Sequence, residues 1–236
     1  MSNLSDADLV IHDLVDGNSL YIEEYLNIYR DLFPQYVRYI PLMRQRAGER
    51  VDPSATEKWH QWLVIGRGQP IGIVGFLYNR KRNIGLLMDF AIYPKARKLW
   101  VNGETPFVKH MLNLSMQQLV EDARENRVDA PLCFAAEVEY PALVRKYKEY
   151  GYVTFPVEYF EPPSTPDLQK VSDKIQQISD ADYGRMYIGA FQIPGHPFDP
   201  HDPDIMRTVL FAFLEDHYQL PSTHWLVQKV VQDIPV

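Results

Sequence analysis

Four side chains have the type and setting to move a proton or hold a charge. Asp89 is the one charge in the apolar run IGLLMDFAIY (84–93). An unpaired carboxylate buried in such a run is costly, so it needs either a partner or a task. The task that suits it is accepting a proton, directly or through a water. The plainer reading is a carboxylate hydrogen-bonded to loop backbone or to an arginine. Glu137 and Glu139 lie on one face at the end of a second apolar run, as a general base or a cation-binding group, or simply as solvated strand-end residues. Tyr147, one of fifteen tyrosines, is a positioned phenol donor or a packing residue of a short helix.

Other reactive residue types carry less. The patch GHPFDPHDPD (195–204) gathers His196, Asp199, His201, Asp202 and Asp204. Its spacing matches no metal-site pattern, and Pro-His-Asp loops serve as turns and helix caps, so no metal is expected. Cys133, the single cysteine, sits among Leu132, Phe134 and Ala135 and reads as a buried, inert thiol. Arg80-Lys81-Arg82 reads as a solvated hairpin turn.

The elements that must position these residues follow from hydrophobic periodicity. Residues 8–15 read as a first strand. Apolar positions recur at helical spacing from Ser19 to Arg46, and Pro34 and Pro41 divide that stretch into two helices. HQWLVIG (60–66), PIGIVGFLY (70–78) and IGLLMDFAIY (84–93) read as hairpin-linked strands, joined by Arg67-Gly68-Gln69 and by residues 79–83. A basic loop, 94–104, precedes a long helix, with Thr105 as N-cap, Pro106 in the first turn and an end near Asn126. A strand at 131–137, a short helix (141–150) and a β-rich segment, YVTFPVEYF (152–160), follow. This order implies an α/β fold with a mixed sheet flanked by helices. Beyond Phe160 come the Pro-rich linker EPPSTPD, a strand GRMYIGAF (184–191), a helix opened by Asp202-Pro203 and running to about Tyr218, and a terminal strand HWLVQKVV (224–231).

Composition sets the outer bounds. The 236 residues carry a net charge of −7, which argues against a nucleic-acid surface. One cysteine excludes an intrachain disulfide. The N-terminus MSNLSDADLV has no basic region leading into an apolar one, so no signal peptide is expected. The longest apolar stretch, Ile71 to Tyr78, is far short of the roughly 20 residues a membrane-spanning helix needs. A cytoplasmic protein without a membrane or nucleic-acid partner is expected.

The succession from strand 84–93 through basic loop and long helix to strand and RKYKEYGYVTF resembles the core of the GNAT superfamily of acetyl-CoA-dependent N-acetyltransferases. Ile92-Tyr93-Pro94 matches the end of its cofactor strand. Tyr147, Gly151 and Tyr152 match its late tyrosine, three residues, glycine, aromatic pattern. The resemblance covers roughly Trp59 to Phe160, and more loosely the N-terminal helices. It implies a core over residues 1–160 (1–58 and 59–160), with 161–236 as an extension that completes the sheet or covers the acceptor side.

The resemblance further implies that acetyl-CoA or another acyl-CoA is the co-substrate. Its pantetheine arm would pair with backbone near Phe90 and Ile92. Its diphosphate would sit at a helix N-terminus, at Thr105, with Lys95, Arg97 and Lys98 as added charge. Tyr147 would protonate the leaving thiolate, and Asp89, Glu137 or Glu139 would serve the amine. Arg97 falls where the family's loop begins, but Trp100 stands where its first glycine belongs. Either Gly103, six residues on from Arg97, takes over that role or diphosphate binding is weakened. Tyr140 stands where the family has an asparagine.

The expected function is transfer of an acyl group to a small-molecule or peptide amine by direct attack in a ternary complex, with a homodimer possible. Two alternatives remain at this point: an inactive fold that binds CoA or another ligand as a sensor, and an interaction domain presenting its tyrosine-rich surface.

Overall fold

In a computed structural model of the chain, residues 3–163, 165 and 183–234 are described. Ser164, Pro166 and Asp167 of the Pro-rich linker lie outside them, as do Met1 and Ser2. The strands are β1 (Asn3–Leu4), β2 (Leu9–Asp13), β3 (Glu57–Gly66), β4 (Gln69–Asn79), β5 (Ile84–Ile92), β6 (Trp100–Val101), β7 (Thr105–Pro106), β8 (Phe134–Val138), β9 (Tyr152–Thr154), β10 (Tyr159–Glu161) and β11 (Gly184–Phe191). The helices are α1 (Ile22–Leu32), α2 (Ile40–Gly48), α3 (Phe107–Glu125), α4 (Pro141–Lys148), α5 (Pro203–Phe211) and α6 (Trp225–Asp233). The class is mixed α/β, as the order of elements implied.

The chain forms two compact units, Met1–Leu77 with Leu87–Leu119, and Tyr78–Leu86 with Val120–Val236. Residues on both sides of position 160 enter the second unit.

In the first unit the strands run in the order β2-β3-β4-β5. β2 pairs antiparallel to β3 with Ile11 opposite Val64. Arg67 and Gly68 both hold positive φ (51° and 73°), which supplies the tight turn between β3 and β4. Pro34 ends α1, a 3₁₀ segment Pro34–Tyr39 follows, and Pro41 lies in the first turn of α2. The apolar face of α1 (Tyr25, Leu26, Ile28, Tyr29) packs with Leu63 of β3, Ile73 of β4 and Ala91 of β5. Full burial of such side chains contributes about 1.5–3 kcal/mol each.

The stretch expected to be an open basic loop is a second small sheet. β6 pairs antiparallel with β7 and parallel with β1. Asn102 and Gly103 form its turn at φ 51° and 75°. Thr105 is therefore a strand residue opposite Val101 and not a helix cap, and α3 begins at Phe107. The Phe107 N–H donates to the Leu99 carbonyl at 3.0 Å. An alternative partner for the chain, the strand β1, outweighed the Thr-Pro cap signal.

In the second unit, β11 lies antiparallel to β8, with Ile188 opposite Glu137, and antiparallel to both β9 and β10. Gly189 permits this. A Cβ there would lie 2.0 Å from the Val153 carbonyl oxygen, so only glycine lets β9 approach. Strand β8 starts at Phe134, three residues later than Pro131. Asp202 caps α5, its side chain accepting from the Asp204 N–H, and the helix continues as a π-helical turn, Ala212–His217.

The expected terminal strand 224–231 is instead helix α6. Its buried Leu226, Val227 and Val230 fall at helical spacing, and His224 caps it by accepting from the Leu226 N–H. Valine-rich composition favours strands only weakly, and burial of a helical stripe overrides it. The turn Arg80-Lys81-Arg82 leaves Lys81 exposed, as expected, but draws Arg82 into an ion-pair cluster. Lys81 and Arg82 pair with Asp216, whose side chain is 7% exposed, and Arg82 also pairs with Glu215.

Candidate functional site

Strand β5 is fully buried from Ile84 to Leu87, opens over Met88, Asp89 and Phe90, and closes again at Ala91 and Ile92. Asp89 therefore stands at the one break in the strand's burial, in the first unit. Three elements of that unit converge on it. From α1 the Tyr29 hydroxyl hydrogen-bonds the carboxylate, and Tyr25, one helical turn earlier, brings a second hydroxyl. From β4, Gly75 supplies the space: a Cβ there would lie 2.9 Å from Asp89 Oδ2 and 3.3 Å from the Tyr25 hydroxyl. From α2, the Arg46 charge acts on both Asp89 and Tyr25. The Arg46 guanidinium is 3.3 Å from the centre of the Trp59 ring, a stacked geometry that holds its plane.

Burial lifts the Asp89 carboxyl from its ordinary value to about 6, with Arg46 and the Tyr29 hydrogen bond pulling the other way. Such a group is mostly ionised at neutral pH yet basic enough to take a proton, the range in which a general base works best. The Tyr25 hydroxyl is buried and makes no hydrogen bond among the described residues. A buried hydroxyl without a partner costs free energy, and this one lies with Asp89 Oδ2 against Gly75.

Glu137 belongs to a different cluster, in the second unit. Its Oε1 accepts from the Tyr159 hydroxyl and its Oε2 accepts from the Tyr218 hydroxyl at 2.9 Å. Tyr218 also reaches Glu161 Oε1 at 3.4 Å. Burial, and then the neighbouring Glu161 carboxylate, push the Glu137 carboxyl up to about 8, while the tyrosine hydrogen bonds oppose this. Both Glu137 oxygens are thus engaged by tyrosine hydroxyls. Glu139 sits at the strand end, half-buried, and hydrogen-bonds the exposed Tyr140.

Tyr147 is 5% exposed, in α4, edge-on to Phe191 (5.4 Å between centroids) and to Tyr152 (6.0 Å). The Tyr152 hydroxyl donates to the Ala136 carbonyl at 3.0 Å. Charges at Tyr147 and Glu137 both act on Tyr152, so these three groups are neighbours in the second unit.

The residues expected to hold a cofactor divide. Phe90 is half-buried at the opening of β5. The Ile92 carbonyl accepts from Arg97 Nε at 2.7 Å, which ties Arg97 to its own strand. Lys95 and Lys98 are exposed. Gly103 is a hairpin-turn residue and Thr105 a strand residue. Backbone hydrogen bonds within the hairpin and to β1 occupy the segment, and Trp100 pairs with Asn3. A glycine-rich cradle is not formed. The first amide of α3 is taken by the Leu99 carbonyl, which leaves the later amides of its first turn and the two exposed lysines as the groups that suit an anion.

Cys133 is buried, and burial alone pushes its thiol well above the usual range, in keeping with an inert thiol. Asp199 and Asp202 accept from the backbone N–H groups of His201 and Asp204. Among the described residues no group of three or more His, Cys, Asp or Glu is placed to hold a metal, and no helix is long and apolar enough to cross a membrane.

Tyr25, Tyr29, Arg46 and Gly75, and in the second unit Glu161, Tyr159 and Tyr218, were not among the expected site residues. The i, i+4 spacing of Tyr25 and Tyr29 predicts a shared helix face. It does not say that their hydroxyls meet a strand about sixty positions later.

No family model matches the chain, and no curated protein matches it. Several solved structures are similar to it. A spermidine N-acetyltransferase chimera from Vibrio cholerae is 14% identical over 80% of this chain and 98% of its own, with a TM-score of 0.45. A GNAT family acetyltransferase from Elizabethkingia anophelis with acetyl-CoA bound is 10% identical over 78% and 97%, with a TM-score of 0.43. An aminoglycoside 6′-acetyltransferase type Ii is 8% identical over 77% and 96%, with a TM-score of 0.45.

Proposed function

We propose that this chain is an acyl-CoA N-acyltransferase of GNAT type that moves an acetyl or other acyl group to an amine, with Asp89 as the proton acceptor. The observation that carries the reading is the Asp89 carboxylate, lifted to about 6 and bound by Tyr29 at the only opening in β5. The order of elements from β3 to β9, with Ile92-Tyr93-Pro94 and the Tyr147–Gly151 spacing, supports it.

An ammonium cannot attack a carbonyl until it loses a proton. Asp89 takes that proton, and the Tyr29 hydroxyl stabilises the carboxylate that does so. Arg46 keeps Asp89 from rising further, which preserves the ionised form near neutral pH. Lys95, Lys98 and the first turn of α3 hold the anionic end of the donor. The donor, when bound, supplies an activated thioester. Tyr147 provides the proton for the leaving group. Cys133 is buried with its thiol held neutral, so attack on the thioester is assigned to the amine itself.

The test is release of free thiol from acetyl-CoA in the presence of an amine panel, with Asp89→Asn as control. Turnover in the parent chain and a fall of at least a hundredfold in the variant are expected. Thiol release that survives Asp89→Asn unchanged overturns the assignment of the base.

A second reading, a CoA or small-ligand sensor without turnover, draws on one observation. Trp100 and Gly103 lie in a β-hairpin instead of a glycine loop. Acetyl-CoA binding by calorimetry without thiol release for any amine would favour it.

A further inference from the structure

We propose that Tyr93 is a positioning residue for the Asp89 site: its hydroxyl, bonded to Asp31, fixes helix α1 so that the Tyr29 hydroxyl stays on the Asp89 carboxylate. This rests on the acyl-transfer reading above and names a further residue on which that same site depends.

Strand alternation brings the relevant residues to one face. Asp89, Ala91 and Tyr93 are spaced by two along β5 and its end. Ala91 and Tyr93 both pack in the core cluster that Tyr25, Leu26, Ile28 and Tyr29 of α1 build. Two polar contacts then tie α1 to this face. Tyr29 hydrogen-bonds Asp89, and the Tyr93 hydroxyl donates to Asp31 Oδ2 at 2.7 Å. Apolar packing is non-directional and holds a helix against a sheet without fixing its slide or roll. Hydrogen bonds are directional, so these two set the register of α1 on β5. Other polar contacts of α1 run elsewhere: Glu23 accepts from Arg44 of α2, and Arg30 donates to Asn27 in α1 itself.

The backbone of Tyr93 is held on both sides. Its N–H donates to the Ile71 carbonyl of β4 at 3.0 Å, and its carbonyl accepts from the Ala96 and Arg97 N–H groups at 2.9 and 3.2 Å. Pro94 follows, with φ set by its ring. The half-buried phenol is therefore a fixed point against which α1 can be located. Asp31 stands against local preference, in the last turn of α1, where the helix dipole disfavours a negative charge. The Tyr93 hydrogen bond supplies the compensation that the helix does not. Burial, and then Asp31, push the Tyr93 phenol up to about 12, so it stays a neutral donor at the pH where the site works. Around Asp89 the other titratable groups are Arg46 of α2 and Tyr25 and Tyr29 of α1. Changes at Tyr93 or Asp31 leave all three in the chain and alter only how α1 is held.

Carboxyl carbon NMR of the full chain tests this, with the Asp89 signal identified by its loss in Asp89→Asn. Tyr29→Phe sets the full effect, since removing that hydroxyl moves the Asp89 titration midpoint to higher pH. Tyr93→Phe keeps the ring and is expected to move the midpoint the same way by a smaller amount. It should also lower kcat/KM for thiol release by about threefold to tenfold. Asp31→Ala should match it. Asp31→Asn, which still accepts from the phenol, should stay within about twofold of the parent. In a Tyr29→Phe background, Tyr93→Phe should add no further shift, because the two act through one contact. A midpoint that Tyr93→Phe leaves in place, or moves equally with and without Tyr29, overturns the inference even if the melting temperature falls. Titration needs no turnover. A chain that acylates no amine therefore sinks the transfer reading, while the NMR midpoints still decide whether Tyr93 holds Tyr29 on Asp89.

Discussion

Gly75 and Asp89 face each other across β4 and β5 so closely that a Cβ on Gly75 would lie 2.9 Å from Asp89 Oδ2. The added methyl must push the carboxylate away from Tyr29 or move the strand. Gly75→Ala is therefore expected to destabilise the fold by about 1–3 kcal/mol. It should also lower acyl transfer more than tenfold. Thermal unfolding and thiol release measure the two effects. A variant with parent activity and parent stability would place Asp89 elsewhere.

Asp89 itself yields a pH profile. The base must be ionised to act, so kcat/KM should rise as pH climbs through about 6 and then level off. Its folded carboxyl lies above its unfolded value, so the proton stabilises the fold. That contribution is full below about 4 and is lost as pH rises through 6. Asp89→Asn avoids the loss and should be more stable at pH 7 by on the order of 3 kcal/mol, while inactive. Melting curves at pH 4 and pH 7 check this, since the gain should vanish at the lower pH.

The Glu137 cluster predicts a loss of stability on the alkaline side. Its carboxyl is lifted to about 8 by burial and by Glu161. The fold is stabilised by the bound proton, and this stabilisation erodes as pH rises from the ordinary carboxyl range through 8. Glu137→Gln removes the charge and keeps one acceptor oxygen, with the other tyrosine hydroxyl turning to accept from the amide NH2. It should flatten the decline in melting temperature between pH 6 and pH 9. An unchanged decline would mean that another group governs it.

Arg82 is expected to matter for stability alone. It pairs with Asp216, a carboxylate 7% exposed, and with Glu215. Lys81 and Asn79 also bond Asp216, so Arg82→Ala should cost about 2–4 kcal/mol instead of leaving the charge bare. Chemical denaturation at pH 7 measures it. The double variant with Asp216→Asn should recover part of the loss.

Much of the fold could be read along the chain. The hairpin strands β3 to β5, the break of α1 at Pro34, the short helix α4 and strand β11 all follow from local apolar spacing and proline placement. Structure and local signal differ where packing in three dimensions outweighs the local preference. Thr105-Pro106 has the form of a helix start, yet Thr105 pairs with Val101 because β1 extends that ladder. Residues 224–231 have strand-like composition, yet Leu226, Val227 and Val230 are buried as a helical stripe.

The sites divide along the same line. Asp89 was conspicuous because a single charge in an apolar run needs a reason that is visible in one dimension. Its partners were not, because Tyr25, Tyr29, Arg46 and Gly75 are ordinary residues until folding sets them around it. The sequence by itself determined the α/β order and the unusual carboxylate. Only the tertiary structure decided that Tyr29 reaches the Asp89 carboxylate, and that Glu137 meets two tyrosine hydroxyls near Glu161. The reason is that ionisation depends on burial and on charges brought near through space, and neither quantity exists until the chain has folded.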